Sequence, residues 1–283
     1  MTAQLFALTE RGPEPLPVPP GAAGHHELFD SLALGVYSAL RTFEHERFLA
    51  LDWHLERTER SMALLGWSDR LERGRLCAAL DRCVRAWPGS DAAVRFDVLA
   101  EPARALGSEE RVLIALAPFT PVAPELLARG VTVRCSDLRR DTPLIKKAAF
   151  VIARRPYPLG RPEAYEHLML DERGTILEGT SSNFCALVGR TLRLAGDDAL
   201  QGITQRVLAE LARALGLEVV RRPVLRAELA TVDEAFLASS IRGPVPVIAV
   251  EEQTLGDGRP GPWTRRLIEA YYEHARVAAR RAV

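Results

Sequence analysis

The sequence predicts an α+β protein of two domains, and three observations carry that reading. Stretches rich in apolar and β-branched residues, such as "AAVRFDVLA" and "ERVLIALAPF", have the composition of strands. Other stretches repeat apolar residues at helical spacing, as in "GITQRVLAELARALG". Between the two halves, "APFTPVAPE" carries Pro118, Pro121 and Pro124, the texture of a linker. The division read from this is a small N-terminal domain over 1–118, a linker over 119–128 and a larger domain over 129–283.

Taken in order, "GPEPLPVPPGAAG" (12–24) is dense in proline and glycine and reads as an extended surface segment. "LALGVYSALRTF" follows as a strand entering a sheet. In "DWHLERTERSMALLG", Leu55, Met62 and Leu65 share one helical stripe, and Gly66 can end the helix in a left-handed conformation. "RLCAALDRCVRAW" is a second helix, and "AAVRFDVLA" with "ERVLIALAPF" forms a small antiparallel sheet. Past the linker, "VTVRC" is a strand. "AYEHLMLDERGTILEGTSSNFCALVGRTLRLAG" is a meander turning at Glu172–Gly174 and at Gly189. "GITQRVLAELARALG" is an amphipathic helix, "EVVRRPV" and "DEAFLASS" are strands, and "PWTRRLIEAYYEHARVAARR" is a long terminal helix.

The chain has 283 residues, of which 47% are hydrophobic and 26% charged, the profile of a soluble globular protein with a substantial core. Its 37 basic and 37 acidic residues cancel. Proteins that live on nucleic acid or acidic membranes carry a basic excess, so neither partner is expected. The four cysteines form no CxxC pair and no zinc-spaced set with histidine, so reduced thiols and no metal are expected. No signal peptide or transmembrane-length apolar run stands out, and the reading is a cytoplasmic protein.

The stretch "LIKKAAF" holds Lys146 and Lys147, the only lysines in the chain; every other basic residue is arginine. An ε-amine can lose its proton and attack a carbonyl, which a guanidinium cannot do. With an ordinary pKa of about 10.4, it needs desolvation or a neighbouring cation to react near neutral pH. The apolar flanks and the adjacent ammonium groups offer both. Two solvated surface lysines would be the ordinary alternative, and other motifs decide against it.

Those motifs resemble the class IV, or fold-type IV, pyridoxal-phosphate enzymes. These include branched-chain aminotransferases, D-amino-acid aminotransferases, aminodeoxychorismate lyases and (R)-selective amine transaminases. "ILEGTSSNF" looks like the family's E-G-x-x-x-N signature. It implies that Glu178 pairs with the pyridine nitrogen and that Asn183 helps hold the cofactor. "LQGITQRVL" is similar to the L-x-G-I-T-R stretch, so Leu200 would pack on the ring while Ile203 and Thr204 receive the phosphate at a helix start. "HLERTERS" resembles H-x-x-R-L-x-x-S, which makes Arg57 the phosphate-binding arginine. In "ASSIRGPVPV", Ser240 stands where the family often has a phosphate-binding threonine, and Ser239 and Ile241 flank it on the substrate side. Lys146 precedes Glu178 by 32 positions, a separation that suits the family's Schiff-base lysine; Lys147 stays open as the alternative.

The resemblance spans nearly the whole chain. It implies a small N-terminal α/β domain and a larger C-terminal domain with a pseudo-barrel of mainly antiparallel strands. It also implies pyridoxal 5'-phosphate as cofactor and a homodimer. The implied activity moves an amino group between a small, aliphatic, branched-chain-like amino acid or amine and a 2-keto acid, with Lys146 and Glu178 as catalytic residues. Tyr37 lines the family's active site, and Arg41 and Arg95 are candidate carboxylate binders, with structural ion pairs as their alternative role. Arg242 is a further cation in the same stretch as Ser240.

Two departures stand out. Where the family often places a tyrosine just after the lysine, this chain has Phe150 and Val151. The Arg-x-His motif of D-amino-acid aminotransferases is missing from "EPARALG". Two rival readings follow. One is a lyase that releases pyruvate from 4-amino-4-deoxychorismate without a keto-acid acceptor. The other is a non-catalytic protein with the same fold, which would be expected to lose Lys146 or Glu178.

Overall fold

The computed structural model describes residues 2–18, 28–29 and 32–283. The chain forms two compact units. The first comprises Met1–Thr120, Ile145–Ile152 and Ala275–Val283; the second comprises Pro121–Leu144 and Ala153–His274.

The first unit is built on an antiparallel sheet in the order β2-β1-β6-β5-β3-β4. Its strands are β1 (Gln4–Thr9), β2 (Gly12–Pro15), β3 (Val36–Phe43), β4 (Arg47–Phe48), β5 (Ala92–Val98) and β6 (Val112–Pro118). Side chains alternate between the two faces. One face carries Val36, Leu40, Val94, Phe96, Ile114 and Leu116. Two helices, α1 (Leu51–Leu64) and α2 (Arg73–Arg85), supply Leu55, Met62, Leu76, Leu80 and Val84 to the same cluster. The expected stripe therefore faces the core, and Gly66 follows α1 with φ 75°, the left-handed geometry that a Cβ disfavours. The other face holds Leu5, Ala7, Leu113 and Ala115 under Leu28 and Phe29.

One difference from the sequence reading lies here. Gly12–Pro15 is a strand paired with β1, because a tight turn at Glu10–Arg11 folds it back and lets its backbone be satisfied. The rest of that expected surface segment, from residue 19, lies outside the described residues.

The second unit opens with α3 (Pro124–Arg129), a short helix with proline in its first turn, inside the stretch read as linker. Its sheet contains β7 (Val131–Ser136), β8 (His167–Leu170), β9 (Ile176–Gly179), β10 (Asn183–Val188), β11 (Thr191–Leu194), β12 (Glu218–Val220), β13 (Glu234–Ser239), β14 (Gly243–Val250) and β15 (Gln253–Thr254). The order is β12-β11-β10-β13-β14-β7-β8-β9, with β15 on β14. The sheet is mixed: β7 runs parallel to both β14 and β8, and β12 runs parallel to β11. At its end, Gly179 donates to the Ser182 carbonyl at 2.8 Å, which brings β9 back beside β10 and curls the sheet into a half-barrel. The chain between β7 and β8 includes residues 145–152 of the first unit, where α4 (Ala149–Ala153) forms just after the two lysines. Helix α5 (Ile203–Ala214) buries Ile203, Val207, Leu208 and Ala212. Glu234 accepts from the backbone N–H of Thr264 at 2.6 Å and of Trp263 at 3.1 Å, fixing the start of α6 (Pro262–Ala278).

Candidate active site

In the first unit the lysine pair is stitched to β3. Tyr37 donates its backbone N–H to the Lys146 carbonyl at 3.1 Å, and Ala148 donates to the Gly35 carbonyl at 2.8 Å. The Lys146 N–H reaches the Ser61 hydroxyl on α1 at 3.2 Å. Its ammonium nitrogen lies 4.8 Å from the centroid of the Tyr37 ring. Lys147 instead pairs opposite Val36, the neighbour on the other face of the strand. Phe150 and Val151 are buried in α4 and bring no hydroxyl.

Arg57 is buried on α1 and donates from Nη2 to the Ser38 hydroxyl at 2.9 Å. That hydroxyl lies 2.8 Å from His54 Nδ1. A guanidinium can only donate, so Ser38 accepts from Arg57 while it also bonds His54. Burial, then the charges of Arg57 and Lys146, hold His54 well below the usual 6.5, as a neutral ring.

The two arginines proposed for carboxylates have local partners. Arg95 forks onto Asp97, and its guanidinium lies 4.1 Å from the Phe29 centroid and 4.4 Å from that of Tyr37. Burial pushes the Asp97 carboxyl up, and the Arg95 charge acts against that shift. Arg41 lies over the rings of Phe43 and Phe119, at 4.1 and 4.3 Å.

In the second unit, Glu178 projects from β9 and is buried, with Oε1 accepting from Arg140 Nε at 2.9 Å. Asn183 begins β10 and donates from Nδ2 to the Leu200 carbonyl at 2.8 Å. A Cβ on Gly202 would fall 1.8 Å from Asn183 Oδ1, so glycine is required where the 199–202 loop passes. Helix α5 starts there with no capping side chain, and its first N–H groups, including those of Ile203 and Thr204, have no intrahelical acceptor. The Thr204 hydroxyl donates to that of Ser240 at 3.3 Å. Ser239 accepts from the Arg242 N–H at 3.4 Å, and Ile241 is half-buried in the same turn. Arg242 turns its guanidinium to the buried carboxylate of Glu166 at 2.6 Å.

The chain's match to the family model for class IV amino-transferases spans residues 35–250. The chain belongs to the class IV aminotransferase family. It is 29% identical over 255 residues to a probable branched-chain-amino-acid aminotransferase of Thermotoga maritima, covering 85% of this chain and 86% of the relative. It is 27% identical over 243 residues to the aminodeoxychorismate lyase of Bacillus subtilis, covering 79% and 80%. The fold matches the branched-chain amino acid aminotransferase of Escherichia coli at a TM-score of 0.73, with 21% identity over 96% of this chain and 94% of that one. This is the two-domain α+β fold of type IV.

Class IV aminotransferases use pyridoxal 5'-phosphate. The class IV residues present here fit that cofactor chemically. The second unit offers an uncapped helix start and two hydroxyls for a phosphate, and a buried carboxylate for a ring nitrogen. The first unit offers an amine held by its backbone on both sides, and a buried guanidinium. Sequence reasoning had no signal for Arg140, Glu166 or Ser38, whose roles rest on partners well along the chain.

Proposed function

We propose that this chain is an aminotransferase moving an amino group between a small aliphatic, branched-chain-like amino acid or amine and a 2-keto acid. The observation that carries this reading is the placement of Lys146: tied by its carbonyl to Tyr37 and by its N–H to Ser61, with its amine over an aromatic face. A lysine fixed at its backbone on both sides suits repeated proton delivery to one place.

When bound, pyridoxal phosphate supplies an aldehyde for the amine and a ring that takes up the electron pair of the breaking Cα–H bond. Lys146 Nζ removes the proton from the substrate's α-carbon and returns it on the other side of the exchange. Glu178 is assigned the hydrogen bond to a protonated ring nitrogen, and Arg140 orients its carboxylate from Oε1. In the second unit, Thr204, Ser240 and the N–H groups of Ile203 and Thr204 are assigned to the phosphate; in the first unit, Arg57 is. Leu200 packs on the ring, and Asn183 holds the Leu200 loop in place. Tyr37 and Arg41 in the first unit, and Ser239 and Ile241 in the second, are each assigned to substrate. Arg95, engaged by Asp97, serves there by holding the Tyr37 ring. An aliphatic side chain agrees with that engagement and with the names of the branched-chain relatives. The active form is a homodimer in the cytoplasm.

The test is the visible spectrum of the purified protein with L- and D-amino acids and no keto acid. A yellow band that converts to the aminated cofactor with one enantiomer is expected. A band that no amino acid and no small amine moves would overturn the reading. The similarity to the B. subtilis lyase supports a second one: release of pyruvate from 4-amino-4-deoxychorismate without any keto acid would establish it.

A further inference from the structure

The second unit contains a closed polar triangle to which neither the motifs nor the proposed chemistry assigns a role. Glu166, immediately before β8, has a fully buried side chain. Its Oε1 accepts from the Ser181 N–H at 2.5 Å, from the Ser181 hydroxyl at 2.8 Å and from the Thr180 hydroxyl at 3.4 Å. Its Oε2 accepts from Arg242 Nη2 at 2.6 Å, and the same nitrogen reaches Ser181 Oγ at 2.6 Å. The proton count closes. Nη2 has two hydrogens, one for the carboxylate and one for the serine oxygen, and the serine proton goes to Glu166. Burial raises the Glu166 carboxyl's pKa, but the Arg242 charge and the Ser181 hydrogen bonds outweigh it, leaving the group below its usual range.

The three corners belong to three separate segments. Ser181 sits in the β9–β10 turn between Glu178 and Asn183. Arg242 sits in the β13–β14 turn two residues after Ser240. The approach is so close that a Cβ on Gly179 would come within 2.8 Å of Glu166 Oε1 and 2.6 Å of Ser182 Oγ. An ion pair with its carboxylate fully buried is a poor source of net stability, but its short, directional bonds fix geometry.

We infer that Glu166 and Arg242 are a positioning pair that sets the Ser240 turn against the Glu178 turn, so that the Ser240 hydroxyl stays in the phosphate-holding arrangement with Thr204. The inference rests on the proposed role of Ser240 toward the phosphate. The pair acts through Ser240 and meets no phosphate itself. It thereby gives Arg242, a free-looking cation in sequence, a role other than binding substrate carboxylate.

The experiment compares the affinity of the cofactor-free full-length protein for pyridoxal phosphate with that for pyridoxal, which lacks the phosphate. A variant that merely loosens the fold weakens both ligands alike. Loss of Ser240 placement lowers only the preference for the phosphorylated one. Glu166→Gln should cut that preference by about tenfold, and Ser181→Ala, which leaves the ion pair in place, by less. On a Ser240→Ala background, Glu166→Gln should remove nothing further, because both changes act on one contact. An unchanged preference in folded Glu166→Gln, or a loss that adds to that of Ser240→Ala, overturns the inference. Should Glu166→Gln not fold, Ser181→Ala carries the same readout, and an unchanged preference there overturns it equally. A wild-type protein that binds the two ligands alike would refute the phosphate role of Ser240 itself, and that result is read before any variant is made.

Discussion

Arg95 and Asp97, two residues apart on β5, share two hydrogen bonds of 2.7 and 2.6 Å while their side chains are only 3% and 0% exposed. Side chains at i and i+2 point to one face of a strand, so the fork closes without leaving the sheet. Breaking such a pair leaves a charge without its partner in the interior. Asp97→Asn should destabilise the protein by about 3–5 kcal/mol, measured by urea unfolding at neutral pH. Replacing both, as Arg95→Met with Asp97→Leu, removes the charge together with its partner and should be milder. If Asp97→Asn unfolds at the wild-type urea concentration, the pair is solvated and the account of Arg95 is wrong.

Gly202 and Asn183 give a second prediction. The missing Cβ leaves room for Asn183 Oδ1, and the same amide donates to the Leu200 carbonyl. Gly202→Ala must push Asn183 aside, moving Leu200 and the first turn of α5 together. Overpacking of this kind costs about 1–3 kcal/mol. Affinity for pyridoxal phosphate should fall by more than thermal stability alone explains. Asn183→Ala in the Gly202→Ala background should recover part of the stability, since it removes the obstacle. A crystal structure of Gly202→Ala with Asn183 unmoved would refute this account.

What the sequence made legible follows a physical pattern. The scarcity of lysine, the E-G-x-x-x-N stretch and the Gly-Ile-Thr helix start are local, so they could be read from neighbouring residues. Helices α1, α2 and α5 were legible because burial repeats at their period. Helix α3, with six residues, is too short to repeat anything. Strand β1 was not read because what stabilises it is β6, more than a hundred positions away. The same distance problem hides Glu166 and Arg242, 76 positions apart, and Arg140 and Glu178, 38 apart. Pairing across such separations leaves no pattern in composition or spacing.

His54 supplies a prediction about pH. Its folded pKa lies well below 6.5, through burial and then the neighbouring Arg57 and Lys146 charges. In the unfolded chain it takes up a proton near the ordinary value. Between those two pKa values the unfolded state binds more protons, so stability is complete above about pH 6.5 and declines as pH falls below it. Urea unfolding from about pH 7.5 down to about 5.5 should show this decline. His54→Gln keeps a hydrogen-bonding side chain for Ser38 but cannot titrate, so its slope should be flatter by up to one proton. Equal slopes in the two proteins would mean that His54 is protonated in the folded state.

The two lysines separate by their backbone settings. Lys146 is bonded to β3 and α1 and carries its amine to the Tyr37 ring, whereas Lys147 is paired opposite Val36. Borohydride treatment of the protein with pyridoxal phosphate, followed by proteolysis and fragment mass measurement, should place the label on Lys146. Lys147→Arg should keep both the label and the rate of amino-group transfer, because its charge is preserved. Lys146→Arg should lose the label and slow transfer by about 10²–10⁴-fold, the range associated with a positioned general base. The size of that loss also separates the proton-moving role from simple attachment: added small amines should restore part of the rate to Lys146→Ala if its missing group is a base. A label on Lys147, with Lys147→Arg inactive, would transfer the whole assignment one residue along and leave the Tyr37 contact as packing alone.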